Sequence, residues 1–319
     1  MWTSCQSRGE GAKRSEKRDN EIGRMHLVLG QHLITNKRMT DKELPVLTSD
    51  LNGNRAVRVL TLNRPRSGNS LAPDLVSALL AALAAAVADP TVRVVVLAAR
   101  GKYFCSGMRL DPAALAGGGG AVSSSPDTMF AAVRDCPLPT IALLQGPALG
   151  GGIGLALSCD LRVATRAAHF AFPEARRGIV PAYISPASVA ALGQARALRY
   201  MLTGDRVPVD ELVACGAVSA VVDSEPELAA TADRLAASLV KGAPAALSLI
   251  KQLVFTVSRA PHLDPATAAF IKSTFEGMMS SADAVEGISA FAEKRLPSWD
   301  PSSSTPLLSA STTTGKAKL

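Results

Sequence analysis

The sequence predicts an α/β protein whose sheet-rich first part is followed by a helical one, and three observations carry that expectation. Apolar runs of strand length recur before residue 186, at 57–62, 92–99 and 140–144. An apolar helical stretch at 73–88 separates the first two, which gives a strand, turn, helix, strand unit. Beyond Pro186 the spacing of apolar residues is almost wholly helical. The strand-like runs are continuous rather than alternating, as in strands covered on both faces.

Taken in order, residues 1–44 are polar, mixed in charge and without a helical or strand period, so disorder is expected there. They contain no apolar core of a signal peptide, and Glu10, Glu16, Asp19 and Glu21 are unlike a transit peptide. Met25 and Met39 are alternative starts. Regular patterning begins near Ala56: strand 57–62, a turn rich in Pro, Ser and Gly, helix 73–88, strand 92–99. The Gly- and Ser-rich segment 117–125 reads as a surface loop. A short helix near 126–135, strand 140–144, a helix at 153–158 and strands 161–164 and 169–171 follow. Helices are expected at 186–203, 208–214, 225–240, 243–258, 264–280 and 281–294, and from Ser298 the chain turns into Ser, Thr and Pro. The organisation is therefore an extension at 1–44, a core at 45–200, a helical region at 201–297 and a tail at 298–319.

A chain of 319 residues and 33.0 kDa has length for a substantial core, and 47% apolar content fits a globular protein. No apolar run reaches membrane-spanning length, so no membrane partner is expected. The net charge of +7 and pI near 9.3 suit an anionic ligand, and equally suit basic tails. Nucleic acid is disfavoured, because aromatics are 4% and no basic stripe alternates with them. The five cysteines and four histidines have no metal-ligand spacing, so neither a metal nor a disulfide framework is expected and the compartment reads as reducing. His169 reads as a strand residue.

The chemistry concentrates in 145–160, where Gly150, Gly151 and Gly152 stand between an apolar strand and a helix. Glycines let the backbone turn tightly and let a ligand approach. The first N–H groups of a helix lack partners within it and carry the positive end of its dipole, which favours negative charge. The alternative is a tight turn packed against the core. A phosphate loop is disfavoured, since no Gly-Lys-Ser/Thr follows. A second glycine-bearing turn, residues 100–110, follows the strand at 92–99. N–H groups from two such turns, converging on one oxygen, make an oxyanion hole.

With Leu62-Asn-Arg-Pro65, Asn69-Ser-Leu71, Phe104-Cys-Ser-Gly-Met108, Gly146-Pro-Ala-Leu-Gly-Gly-Gly152 and Phe172-Pro-Glu174, the sequence resembles the crotonase (enoyl-CoA hydratase/isomerase) superfamily. Gly178-Ile-Val-Pro181, Leu202-Thr-Gly-Asp-Arg206 and 286–295 continue the resemblance in the family's order over roughly 45–300. It implies a ClpP-like spiral of ββα units, then a helical region that assembles trimers or dimers of trimers. It also implies acyl-CoA chemistry through a thioester enolate, with CoA entering as part of the substrate and no separate cofactor. The implied oxyanion donors are the N–H groups of Met108 and Gly151, each such donor being worth on the order of 3 kcal/mol. The residue after Met108, commonly Asp in the family, is Arg109.

Of the two glutamates of the hydratases this chain resembles, the second matches Glu174 and the first falls on Gly154. Hydration is most simply run by two poised groups, whereas moving a double bond needs one. The wider Gly-Gly-Gly-x-Gly-Leu and Gly178–Pro186 context resembles a hydratase branch that also has glycine at that position. The first expectation is therefore hydration of a 2-enoyl-CoA; the second is a Δ3-Δ2-enoyl-CoA isomerase using Glu174 alone; a third, of another class, is a non-catalytic CoA-binding scaffold. Glu174 is read as the acid/base, against a surface salt bridge to Arg176 or Arg177. Tyr183 falls on the active-site wall, either orienting water or packing at the rim, and Asp111 reads as a further acid or an N-cap. The resemblance assigns substrate and CoA contacts to Arg64, Arg66, Ser70, Phe104, Ser106, Gly107, Gly150 and Pro181. Phe275 and Lys294 are added from the helical region, against a core residue and a solvated helix end. The terminal Ala317-Lys318-Leu319 resembles the tripeptide read by peroxisomal import receptors, so a peroxisome or glycosome is expected, with cytoplasm or mitochondrion as the alternative.

Overall fold

The computed structural model describes residues 44–109, 126–260 and 264–300. Among these, a six-stranded sheet runs in the order β1 (Val46–Leu51), β2 (Asn54–Leu62), β3 (Val94–Ala99), β4 (Thr140–Leu144), β6 (Leu161–Thr165), β9 (Ala220–Val222). The β1–β2 pair is antiparallel and all later neighbours are parallel. A smaller sheet joins β5 (Ala148–Leu149), β7 (His169–Ala171) and β8 (Arg206–Pro208).

The continuous apolar strands are explained by two buried faces. Leu60, Leu62, Val95, Leu97, Ala142 and Leu144 face α1 (Pro73–Ala88), which buries Leu75, Val76, Leu79, Leu83 and Ala86. The intervening Val57, Val59, Val94, Val96, Ile141, Leu143 and Val163 face α7 (Glu225–Val240), which buries Leu228, Ala232 and Ala236. Spacings of three and four place these helical residues on one stripe. Proline in the first turn of both helices removes an N–H that has no intrahelical acceptor.

The remaining helices are α2 (Pro126–Arg134), α3 (Gly151–Ser158), α4 (Ser185–Leu192), α5 (Gln194–Thr203), α6 (Val209–Ala214), α8 (Pro244–Arg259), α9 (Pro265–Met279) and α10 (Ala282–Ala292). Lys251 anchors α8 to the core by donating to Cys136 O at 2.6 Å and Leu138 O at 2.8 Å and by pairing with Asp160 at 2.8 Å. No single helix among the described residues is long and apolar enough to cross a membrane.

Four differences from the sequence reading have local causes. Strand β1 precedes the patterned region and closes on β2 through Asn52 and Gly53, both at positive φ, an Asn-Gly hairpin. The helix expected at 186–203 is two helices broken at Gly193, whose φ is 75°. Strands β8 and β9 lie in the part read as helical and join both sheets; at three residues each they are too short to show a period. Helix α3 begins at Gly151 rather than 153. The 1–43 extension, Asp111, the 117–125 loop and Ala317, Lys318 and Leu319 lie outside the described residues.

Candidate active site

The site forms beyond the carboxyl ends of β3 and β4, where parallel sheets leave a crevice. Two turns leave those strands and zip together: Phe104 N donates to Pro147 O at 3.0 Å and Leu149 N to Cys105 O at 2.9 Å. The turn at 64–71 clamps the same segment, because Ser106 N donates to Gly68 O and Leu71 N to Gly107 O, each at 2.8 Å. Asn69, fully buried at positive φ, joins both by donating to Arg100 O and Tyr103 O at 2.9 Å while its Oδ1 accepts from Arg64 N at 2.8 Å.

This bracing brings two amides side by side. A Cβ placed on Gly151 lies 3.3 Å from Met108 N, and one on Gly107 lies 3.2 Å from Gly151 N. Gly151 opens α3, so its N–H has no acceptor within the helix. Met108 N–H donates to no other backbone group among the described residues. Glycine is required at several points of these turns: a Cβ on Gly152 would overlap Cys105 O and one on Gly146 would overlap Lys102 O, and two further glycines stand at positive φ. Gly107 has φ 94° with Leu149 O only 2.6 Å from a would-be Cβ, and Gly150 has φ 49° with Glu174 Oε1 at 2.7 Å from one.

Glu174 sits at the start of the 3-10 turn 175–177, after β7. It is 9% exposed, and its Oε2 has no hydrogen-bond partner among the described residues. Desolvation raises its carboxyl above the ordinary value, opposed by its own backbone N–H and by the charge of Arg177. No ion pair to Arg176 or Arg177 forms, so the surface salt bridge weighed from sequence is absent; Arg176 pairs instead with Asp205 at 2.7 Å. A buried carboxyl with an idle oxygen, pushed toward neutral pH, is equipped to take up and return a proton.

A cavity of about 110 Å³ joins these parts, lined by Ser106, Gly107, Met108, Gly150, Gly151 and Glu174 and, on its far side, by Phe130, Arg177 and 179–184. Pro181 and Tyr183 belong to that wall, and Tyr183 is exposed at the rim. Six residues named from sequence are not brought into it. Arg64 is half-buried and pairs with Asp74 at 3.1 Å, Arg66 is exposed in a 3-10 turn, and Ser70 is half-buried. Phe104 is fully buried with its N–H spent on Pro147 O. Phe275 is exposed on α9, not in the core, and Lys294 stands at positive φ just past α10.

The place where the resemblance puts the first glutamate, Gly154, is filled. A Cβ on Gly154 would lie 2.5 Å from Ile184 Cγ2 and 2.8 Å from Phe130 Cζ, so no second carboxylate fits there without displacing both. Phe130, Ile184, Arg177 and the bracing Asn69 were not singled out as site residues from sequence. Asn69 had a signal in its motif, whereas Phe130 and Ile184 meet Gly154 only in the fold. No group of His, Cys, Asp and Glu among the described residues is arranged to hold a metal.

The family model for enoyl-CoA hydratase/isomerase matches residues 52–302. The chain belongs to the enoyl-CoA hydratase/isomerase family. It is 33% identical over 263 residues to the carnitinyl-CoA dehydratase of Salmonella typhi, covering 78% of this chain and 97% of that one. It is 32% identical over 242 residues to the 2,3-dehydroadipyl-CoA hydratase of Escherichia coli, covering 76% and 94%. Its fold superimposes on the crystal structure of a Mycobacterium smegmatis enoyl-CoA hydratase with TM-score 0.72 and 31% identity, over 81% of this chain and 99% of that one. The mixed sheet with its helical C-terminal region is therefore a crotonase fold, and the chain is an acyl-CoA enzyme of this family.

Proposed function

We propose that this enoyl-CoA hydratase/isomerase family member hydrates 2-enoyl-CoA thioesters, with the Met108 and Gly151 N–H groups as oxyanion donors and Glu174 as the acid/base. The observation that carries the proposal is the meeting of those two adjacent amides, in one cavity, with a buried carboxyl whose Oε2 has no hydrogen-bond partner among the described residues. The carboxylate takes a proton from water as its oxygen bonds to C3. The C2–C3 π electrons move toward the thioester, whose oxygen gains charge between the two N–H groups. That enolate then takes the proton back from Glu174 at C2, so one carboxyl serves both acts. Fixed donors aimed at the developing charge act mainly in the transition state. The two relatives named for a hydratase and a dehydratase support reaction across a carbon–carbon double bond.

A second reading rests on the filled wall at Gly154. With one carboxyl, moving a double bond from C3 to C2 needs only removal of a proton at C2 and its return at C4. Separate incubation with 2-enoyl-CoA and 3-enoyl-CoA tests both, with product analysis by mass and chromatography. A 3-hydroxyacyl product from the 2-enoyl ester supports hydration; reaction of the 3-enoyl ester alone makes the chain an isomerase; tight binding with neither product leaves the CoA-binding scaffold.

Assembly into trimers is part of the same reading. It is supported by the exposed apolar side chains Phe275 and Met279 on α9, Val285, Ile288 and Phe291 on α10, and Leu296.

A further inference from the structure

Two neighbouring arginines follow Glu174, and their side chains are disposed differently. Arg176 is committed: Nε donates to Thr203 O at 2.8 Å and Nη2 to Asp205 Oδ1 at 2.7 Å. Among the described residues Arg177 is hydrogen-bonded only through its backbone, its N–H donating to Glu174 O at 2.9 Å and so closing the 3-10 turn, while its exposed side chain acts on the Glu174 carboxyl through its charge. Its side chain lines the same cavity as the Glu174 carboxyl and the amides at 108 and 151. That guanidinium has no hydrogen bond or ion pair among the described residues. Beside it the wall is apolar, made by Phe130, Ile179, Val180 and Ile184.

An alkyl chain alone gives such a wall everything except a partner for the cation. Covering an unpaired guanidinium with hydrocarbon strips its hydration without compensation, and the complex is weakened. A carboxylate on the acyl group removes that penalty, because the planar guanidinium takes it by two parallel charge-assisted hydrogen bonds. We propose that Arg177 is an anion subsite for a carboxylate carried by the acyl group, so that the substrate class is the CoA thioester of a short dicarboxylic enoyl acid. The inference rests on the acyl-CoA reading above. CoA itself supplies a second source of anions in its phosphates, and the test separates the two.

Glutaryl-CoA and pentanoyl-CoA share the CoA part and the number of acyl carbons, differ in a terminal carboxylate, and lack the double bond. Titration calorimetry of the full chain with each therefore reads the carboxylate without turnover. The wild-type chain is expected to bind glutaryl-CoA about tenfold or more tighter than pentanoyl-CoA. Arg177→Leu brings that ratio to about one by weakening glutaryl-CoA, and Arg177→Lys retains part of it. Arg177→Gln, with far-ultraviolet circular dichroism on each variant, repeats the measurement with a polar side chain in case the leucine variant misfolds. A ratio near one in the wild type, or one unmoved by these variants, overturns the subsite while leaving the acyl-CoA reading intact. Equal weakening of both esters assigns Arg177 to the CoA phosphates and also overturns it. If neither ester binds the wild type, the acyl-CoA reading itself fails and takes the subsite with it.

Discussion

Glu174 illustrates at the scale of one residue how a site spends stability on chemistry. Burial raises its folded pKa above the unfolded value of about 4.3, so the folded chain holds that proton more tightly than the unfolded chain does. The penalty for the charged form is absent below the unfolded pKa, grows as pH rises toward the folded pKa, and is complete above it. Glu174→Gln, neutral at every pH, is therefore expected to melt at a higher temperature than wild type at pH 7, with the difference vanishing as pH falls below about 4. The same variant is expected to lose about three or more orders of magnitude in kcat while still binding acyl-CoA. Melting curves and turnover on one preparation check both; a variant less stable than wild type at pH 7 refutes the desolvation argument. The wild-type rate should fall with acid at a higher pH than an unburied glutamate would give, for the same reason.

At the scale of the element, the oxyanion geometry belongs to two strand-end turns and the start of α3 rather than to any side chain. Gly107 shows how little slack they have, with φ 94° and Leu149 O 2.6 Å from a would-be Cβ. Because the obstructing atom is backbone, Gly107→Ala must move one turn against the other. The expected result is about 1–3 kcal/mol of lost stability and about a hundredfold loss in kcat, larger than any change in KM. Chemical denaturation and steady-state kinetics measure these, and a variant with wild-type kcat would show that the juxtaposition of the two turns is not what drives the reaction. The short elements are also where sequence and structure part. Strands β8 and β9 have three residues each and are recruited by neighbours β7 and β6, which no local pattern announces. Strand β1 was missed from sequence although Asn52-Gly53 is a hairpin signal, because the regular patterning begins only near Ala56.

At the scale of the whole molecule, the C-terminal helices present apolar surface that the described chain leaves uncovered, with Phe291 87% and Leu296 90% exposed. Residues of that kind on adjoining turns favour burial against another copy. Sedimentation is expected to give an oligomer for the wild-type chain, and Phe291→Asp to shift the population toward monomer by placing a charge where apolar contact is needed. An unchanged sedimentation coefficient would locate the assembly surface elsewhere.

The sequence by itself determined the family, the parallel sheet and the chemistry-bearing turns. Their signals are local: glycine runs, strand-length apolar runs and the Phe-Pro-Glu motif each lie within a few residues. What only the tertiary structure decided depends on residues far apart in the chain. Phe130 and Ile184 close over Gly154, Asn69 braces two loops, Phe104 is core, and Arg177 faces the cavity while Arg176 turns away to Asp205. Spacing in sequence sets which backbone groups turn together, whereas the volume and charge around a side chain are set by whichever elements pack against it.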